Sequence, residues 1–162
     1  MPVGYEGPPV HREWVVDQMM NALIALSMSE AEVSILLCDD QAIRPLNEQW
    51  RGQDQATDVL SFPQLELDSP LVNLPGRRDG DAPTVLGDVV ISLESATRQA
   101  TEVGHGVREE LLVLLVHGLC HLLGHQHDEP GTRQQMAEAE AAVLSAILPG
   151  ACGVVARSGA AE

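Results

Sequence analysis

Residues 107–128, VREELLVLLVHGLCHLLGHQHD, combine an apolar run with four of the six histidines in the chain. The stretch 107–123 is apolar nearly all round, which predicts a buried helix. Gly124 is placed to end this helix in a left-handed conformation, because glycine has no Cβ to oppose it. The segment therefore predicts a central buried helix with histidines at its end, and the rest of the fold is expected to pack around it.

The histidine spacing predicts a metal site. His117 and His121 are four residues apart, so they share one face of a helix and can bind one zinc ion at about 2.0–2.1 Å. On a continuing helix His125 would lie about 12 Å along the axis from His117, too far for the same ion. After a turn at Gly124, either His125 or His127 could reach the metal, and spacing favours His127 only slightly. Three protein ligands would leave a fourth position for water, as in catalytic zinc sites.

Three alternatives compete with this interpretation. The histidines could be hydrogen-bonded core residues, or they could form a structural metal site. Cys120 could be a ligand, but it points about 100° away from His121 around the helix. In the H-E-x-x-H proteases, a glutamate follows the first histidine and acts as general base. Gly118 holds that position here, so peptide hydrolysis by that route is not expected.

Composition restricts the classes of partner. The 162 residues fit one domain, predicted over 1–149 with a flexible tail at 150–162. The net charge is −15 and all nine basic residues are arginines, so bulk attraction to nucleic acid or membrane is not expected. The few aromatic residues make a base-stacking platform unexpected. Three separated cysteines indicate no disulfide framework, and without an apolar leader a cytoplasmic protein is expected.

The remaining pattern alternates helices and strands around one small sheet. Helical spacing or capping signals predict four further helices, at 11–28, 41–50, 92–103 and 132–148. Short apolar runs predict three strands, at 33–38, 59–62 and 86–91. The segment 64–84 is rich in Pro, Gly and Asp and predicts a long loop, with room for one more short strand at 64–67.

Three motifs resemble those of the YbeY family, the metal-dependent endoribonucleases of rRNA maturation. Residues 117–127 match the family pattern H-G-x-x-H-L-x-G-Y-D-H, with His125 and Gln126 in place of tyrosine and aspartate. Residues 46–63 match L-N-x-x-Y-R-x-x-D-x-x-T-D-V-L-S-F-P, with Trp50 in place of tyrosine. Residues 86–91 match L-G-D-I-x-I.

The resemblance implies both a fold and an activity. The fold is α+β, with a small mixed sheet of about four strands flanked by helices around the zinc-bearing helix. The implied ligands of one zinc ion per chain are His117, His121 and His127. Arg51 matches an arginine of the family's active cleft, and it would act with His117 in catalysis. The implied activity is cleavage of single-stranded RNA in 16S rRNA 3′-end processing, linked to the small ribosomal subunit and to an assembly GTPase.

Several roles stay open at this stage. Arg51 could stabilise charge on the phosphoryl oxygens or form a surface ion pair with Asp54. Asp88 could orient a ligand histidine or serve only the turn before its strand. Thr57 and Ser61 could bind phosphate or hydrogen-bond the loop, whereas Asp128 and Glu129 are expected to start the last helix.

Two other functions also remain possible. One is a zinc hydrolase of another ester or amide, and the other is a ribosome-assembly factor whose zinc is not catalytic. In a nuclease, the nucleophile could be water or the RNA 2′-hydroxyl.

Overall fold

The computed structural model describes residues 10–74 and 80–148. The predicted tail at 150–162 lies outside the described residues. The described chain forms five helices and three strands in the order α1 Arg12–Ala25, β1 Ala31–Cys38, α2 Asp40–Arg51, β2 Val59–Pro63, β3 Thr84–Ser92, α3 Leu93–Val103, α4 Val107–Leu122 and α5 Pro130–Ile147. Each predicted helix and each of the three principal strands is present within a few residues of its predicted bounds.

The strands form one mixed sheet in the order β1-β3-β2. The central strand β3 pairs parallel with β1 and antiparallel with β2. The α+β class and the mixed sheet are therefore confirmed. Among the described residues, none of the helices has the length and apolar character needed to cross a bilayer.

The additional strand predicted at 64–67 is wrong, and the described sheet has three strands rather than about four. Gln64 still donates one backbone hydrogen bond to the Leu86 carbonyl, at 2.9 Å. The chain then leaves the sheet and passes over the end of α4, where the Leu71 amide donates to the Leu123 carbonyl at 2.7 Å. Leu65 and Leu71 of this segment pack against the core instead of contributing to a fourth strand.

Helix α4 lies at the centre of the molecule, as its composition predicts. It contacts α1, α3, α5, β2 and β3, and thirteen of its sixteen residues are buried. Gly124 follows the helix with a φ of +97°. The Gly124 amide donates to the His121 carbonyl and the His125 amide to the Cys120 carbonyl, both at 3.0 Å. These two bonds form the Schellman motif that ends a helix at a left-handed residue, so the predicted turn is confirmed.

Helix α4 comes unusually close to the sheet at Gly118. A Cβ atom built on Gly118 would lie 2.7 Å from Cγ1 of Val89 on β3 and 3.3 Å from Oγ of Ser61 on β2. A distance below 3 Å is too short for two carbon atoms, so the Val89 side chain or one of the two backbones would have to shift. The glycine is therefore required by packing, and a glutamate of the protease type has no room there.

We expect Gly118→Ala to lower the free energy of unfolding by about 1–3 kcal/mol, because the added methyl overpacks the interface between α4 and the sheet. The matched control is Gly131→Ala in α5, where an added Cβ meets nothing within 4 Å. The control should be neutral or slightly stabilising, because alanine is the better helix former. Urea unfolding followed by circular dichroism measures both variants, and equal stability of the two would contradict the close approach.

Candidate metal centre and its cleft

The structure brings the three predicted histidines together. One potential ligand atom from each of His117, His121 and His127 lies within 4.8 Å of the other two. His117 and His121 lie at the end of α4, and the turn at Gly124 returns the chain so that His127 joins them. Of the two candidates that spacing left open for the third position, His127 belongs to this cluster and His125 does not.

The hydrogen bonds of two rings determine which nitrogen faces the cluster. Nδ1 of His117 lies 3.1 Å from Oε1 of Glu140, and Nδ1 of His121 lies 3.0 Å from the His125 carbonyl oxygen. Because a carboxylate oxygen and a carbonyl oxygen both accept hydrogen bonds, each Nδ1 donates its proton and each Nε2 keeps its lone pair. This is the arrangement in which imidazoles bind metals.

The resulting donor set fits a metal ion. The Nε2 atoms of His117 and His121 are 3.1 Å apart. With Nδ1 protonated in both rings, two lone pairs face each other across this distance, and a shared cation would remove their repulsion. The separation is close to the ~3.3 Å expected between two nitrogens of a tetrahedral zinc site with bonds of about 2.0–2.1 Å.

Electrostatics keep His121 in the form that binds metal. Burial, together with the neighbouring His117 and His127, lowers the pKa of His121 from 6.5 to about 4, while the hydrogen bond to the His125 carbonyl acts in the opposite direction. The ring is therefore neutral at physiological pH. A metal ion then needs to displace no proton from it.

Glu140 is a site residue that the sequence interpretation missed. It lies on α5 with its side chain fully buried beside His117. It shares the buried face of α5 with Met136, Val143 and Leu144. The sequence did contain a signal for this role, since Glu140 falls among the apolar positions of its helix. Burying a charge is costly unless a partner compensates it, so a carboxylate there indicates a buried partner.

Three other predicted candidates lie outside the cluster. Cys120 is buried in the core, and burial together with nearby Glu140 raises the pKa of its thiol. His125 contributes its carbonyl to His121, while burial lowers the pKa of its own ring. Asp88 lines the neighbouring cleft, but the Nδ1 atoms of His117 and His121 meet other oxygens. Asp88 therefore does not orient either ring.

The histidines line one wall of a cleft of about 1420 Å³ that Arg51 also lines. Arg51 is the last residue of α2, and Gly52 ends that helix in a left-handed conformation. The alternative pairing of Arg51 with Asp54 is not formed. Asp54 instead binds Arg44 through two contacts, at 2.7 and 3.1 Å, and this pairing lowers the pKa of the Asp54 carboxyl. Arg51 thus stays available to a ligand in the cleft.

The other polar candidates support the walls of the cleft. The Ser61 hydroxyl donates to the Gly118 carbonyl at 3.3 Å, and the Thr57 hydroxyl donates to Asp58 at the same distance. Both residues line the cleft, but these hydrogen bonds agree with the structural alternative for them. Glu129 caps α5 through a capping box with Thr132, which confirms its predicted position at the start of that helix.

An α+β domain with three imidazoles that converge at the end of a buried helix defines a class of candidate metal-dependent hydrolases. Residues 10–148 match the family described as Endoribonuclease YbeY. The chain therefore belongs to the YbeY family, as its motifs indicated.

Individual relatives agree with this assignment. The chain is 43% identical over 127 residues to the endoribonuclease YbeY of Aquifex aeolicus, covering 78% of this chain and 77% of that protein. It is 46% identical over 140 residues to the protein of that name from Anaeromyxobacter dehalogenans, covering 86% of this chain and 65% of the relative. It is 48% identical over 122 residues to the Myxococcus xanthus protein of that name, covering 75% of this chain and 38% of the relative. The chain thus spans less than two thirds of the length of some of its curated relatives.

A solved structure supports the fold. The solution structure of TM1509 from Thermotoga maritima superposes with a TM-score of 0.59, covering 87% of this chain and 85% of that one. The sequence identity is 24%. This similarity applies to the fold alone.

We expect Glu140→Gln to weaken metal binding by about 10-fold or more, because it replaces the carboxylate that fixes the orientation and basicity of His117. The matched control is Glu138→Gln, an exposed carboxylate on the same helix. Competition with a chelating dye measures both affinities, and circular dichroism checks that each variant is folded. Wild-type affinity in Glu140→Gln would contradict the role assigned to Glu140.

The depressed pKa of His121 predicts how the metal-free protein responds to acid. Below pH 6.5 the unfolded chain takes up a proton at His121, whereas the folded chain does so only near pH 4. The free energy of unfolding should therefore fall by roughly 2–3 kcal/mol through this group as the pH drops across that window. Urea unfolding in chelator at several pH values measures this loss. His121→Asn should lose correspondingly less stability over the same window, and an equal loss in both proteins would contradict the assignment.

Proposed function

We propose that this chain is a metal-dependent endoribonuclease that cleaves single-stranded RNA with one zinc ion held by His117, His121 and His127. The observation that carries the proposal is the convergence of three imidazoles, within 4.8 Å of one another, on a cleft that also holds Arg51. The cleft, at about 1420 Å³, exceeds the roughly 300–1,000 Å³ of small-molecule sites and suits a polymer. Membership of the YbeY family supports RNA as that polymer.

The residues of the cleft would have distinct roles in catalysis. A bound zinc ion would act as a Lewis acid and lower the pKa of a water molecule. His117 and His121 would present Nε2 to the ion, while Glu140 and the His125 carbonyl hold their Nδ1 protons. We therefore assign catalytic roles to two residues. His117 would hold the metal ion, and Arg51 would bind the scissile phosphate.

Arg51 supplies a positive charge to the described part of the cleft. Among the described residues lining the cleft it is the one arginine, and the carboxylates Asp58, Asp88 and Asp128 lie in the same lining. The guanidinium can grip two phosphoryl oxygens at once and stabilise the charge that develops on them. Removing it should therefore affect catalysis more than removing a surface arginine would.

Hydrolysis of peptides is disfavoured by the packing. The protease route needs a glutamate at the position of Gly118, and a side chain there would collide with Val89. Other phosphoesters remain chemically possible at this site, and a panel of substrates distinguishes them from RNA.

We further propose that the physiological substrate is the 3′ end of the 16S rRNA precursor, in maturation and quality control of the small ribosomal subunit. The resemblance to the YbeY family supports this proposal. The net charge of −15 supports a delivered substrate, because an acidic protein binds free RNA weakly and only at low salt. A ribosomal or GTPase partner that presents the strand would supply the missing affinity. Action in the cytoplasm follows from such a substrate.

The main test combines metal content with cleavage of single-stranded RNA. His117→Ala and His121→Ala should each lose about one zinc per chain and all cleavage. Arg51→Ala should keep the zinc and lose about 10²–10³-fold in rate, because only charge stabilisation is removed. Arg12→Ala, an exposed arginine on α1, is the matched control and should behave as wild type.

Other outcomes would overturn the proposal. Cleavage that persists after strict chelation would rule out a metal-dependent reaction. Co-sedimentation of the metal-replete protein with the small subunit, without any cleavage, would favour an assembly factor with a non-catalytic metal. The products of a positive result then identify the nucleophile, since a 2′,3′-cyclic phosphate indicates the RNA 2′-hydroxyl rather than water.

A further inference from the structure

Trp50 is 62% exposed on the lining of the same cleft. Among the exposed large apolar side chains of the described residues, it is the one aromatic. Its ring meets that of Phe62 edge to face, with centroids 5.8 Å apart and an interplanar angle of 72°. A T-shaped contact of this kind covers at most one face of the indole, so Phe62 leaves at least one face open.

Local hydrogen bonds fix the backbone that carries this indole. Trp50 lies in the last turn of α2, where the Gly52 amide donates to the Glu48 carbonyl at 3.0 Å. Asn47, fully buried in the same turn, donates from its side chain to the Gln55 carbonyl at 2.8 Å and so ties the following loop to the helix. A ring that packs against Phe62 on a hydrogen-bonded backbone loses less conformational entropy when a ligand binds than a ring on a mobile loop would.

Trp50 is also the immediate neighbour of Arg51. One residue offers an open π-face and the next offers a guanidinium, and both line the cleft of the three histidines. A nucleotide has the complementary pair of groups, a flat base and a phosphate. The chain as a whole repels phosphate, so a contact that depends on the base would contribute affinity that charge does not.

The low aromatic content predicted no base-stacking platform, but one exposed ring is enough to stack one base. We propose that Trp50, supported by Phe62, is a stacking platform for one unpaired nucleobase next to the phosphate bound by Arg51. This inference rests on the proposed ribonuclease function and adds a reason for strand selectivity. A base within a duplex is already stacked on both faces and cannot reach the indole without unpairing. Because every base has a π-face, the platform selects single strands without selecting sequence.

The first measurement is kinetic. Trp50→Ala should raise KM for single-stranded RNA roughly 5- to 150-fold, the range expected for loss of one base–aromatic stack, while kcat changes little. Trp50→Phe should recover most of the affinity, because a flat ring is restored. Val103→Ala, an exposed apolar residue at the end of α3, is the control and should leave KM unchanged. Unchanged KM in Trp50→Ala would overturn the platform while leaving the proposed nuclease intact.

The second measurement reports binding independently of cleavage. In a Trp14→Phe background, Trp50 is the single tryptophan, and its fluorescence should be quenched when metal-replete protein is mixed rapidly with oligouridylate. The same strand paired with oligoadenylate should quench far less. Quenching without subsequent cleavage would support the platform and contradict the nuclease. Equal quenching by the duplex, or none by the single strand, would overturn the platform.

Discussion

The contact between α4 and β3 at Gly118 determines where the site residues lie. Without a side chain at Gly118 the helix approaches the sheet until only about 2.7 Å separates Val89 from where a Cβ would be. His117 and His121 lie about 100° and 60° around the helix from that contact, on the same flank. One helix therefore packs against the sheet and presents two imidazoles beside it. The turn at Gly124 then brings His127 to the same flank.

The burial of the histidines also determines which of their ring nitrogens can bind a metal. An imidazole near the core is costly unless its nitrogens have partners, and here Glu140 and the His125 carbonyl supply them. These acceptors hold the protons on Nδ1 and leave the Nε2 lone pairs directed at one another. Correctly oriented groups in the site are important for RNA binding here, because a chain of net charge −15 has little general attraction for RNA. Arg51, the metal and a stacked base would have to provide what bulk charge does not.

Much of the fold and of the candidate metal site could be predicted from the sequence, because both depend on local spacing. The helical period of α4 and the glycine after it are short-range signals, and the helix and the turn that they predict were confirmed. The four-residue histidine spacing is a third such signal, and His117 and His121 lie together as it predicts. Glu140 and the pair of Trp50 with Phe62 depend on tertiary packing instead. His117 and Glu140 are 23 residues apart, and the two aromatic rings come from α2 and β2. The predicted strand at 64–67 was wrong for the same reason, since Leu65 packs against the core without joining the sheet.

The central claim is that three imidazoles, and no cysteine, hold one metal ion. X-ray absorption spectroscopy of the metal-replete protein tests it most directly, because the edge identifies the element and the fine structure identifies its ligands. The account predicts zinc with a shell of nitrogen and oxygen at about 2.0–2.1 Å and an imidazole pattern equivalent to three rings. A sulfur shell near 2.3 Å, which would place Cys120 at the metal, would contradict it. So would a protein that binds no stoichiometric metal.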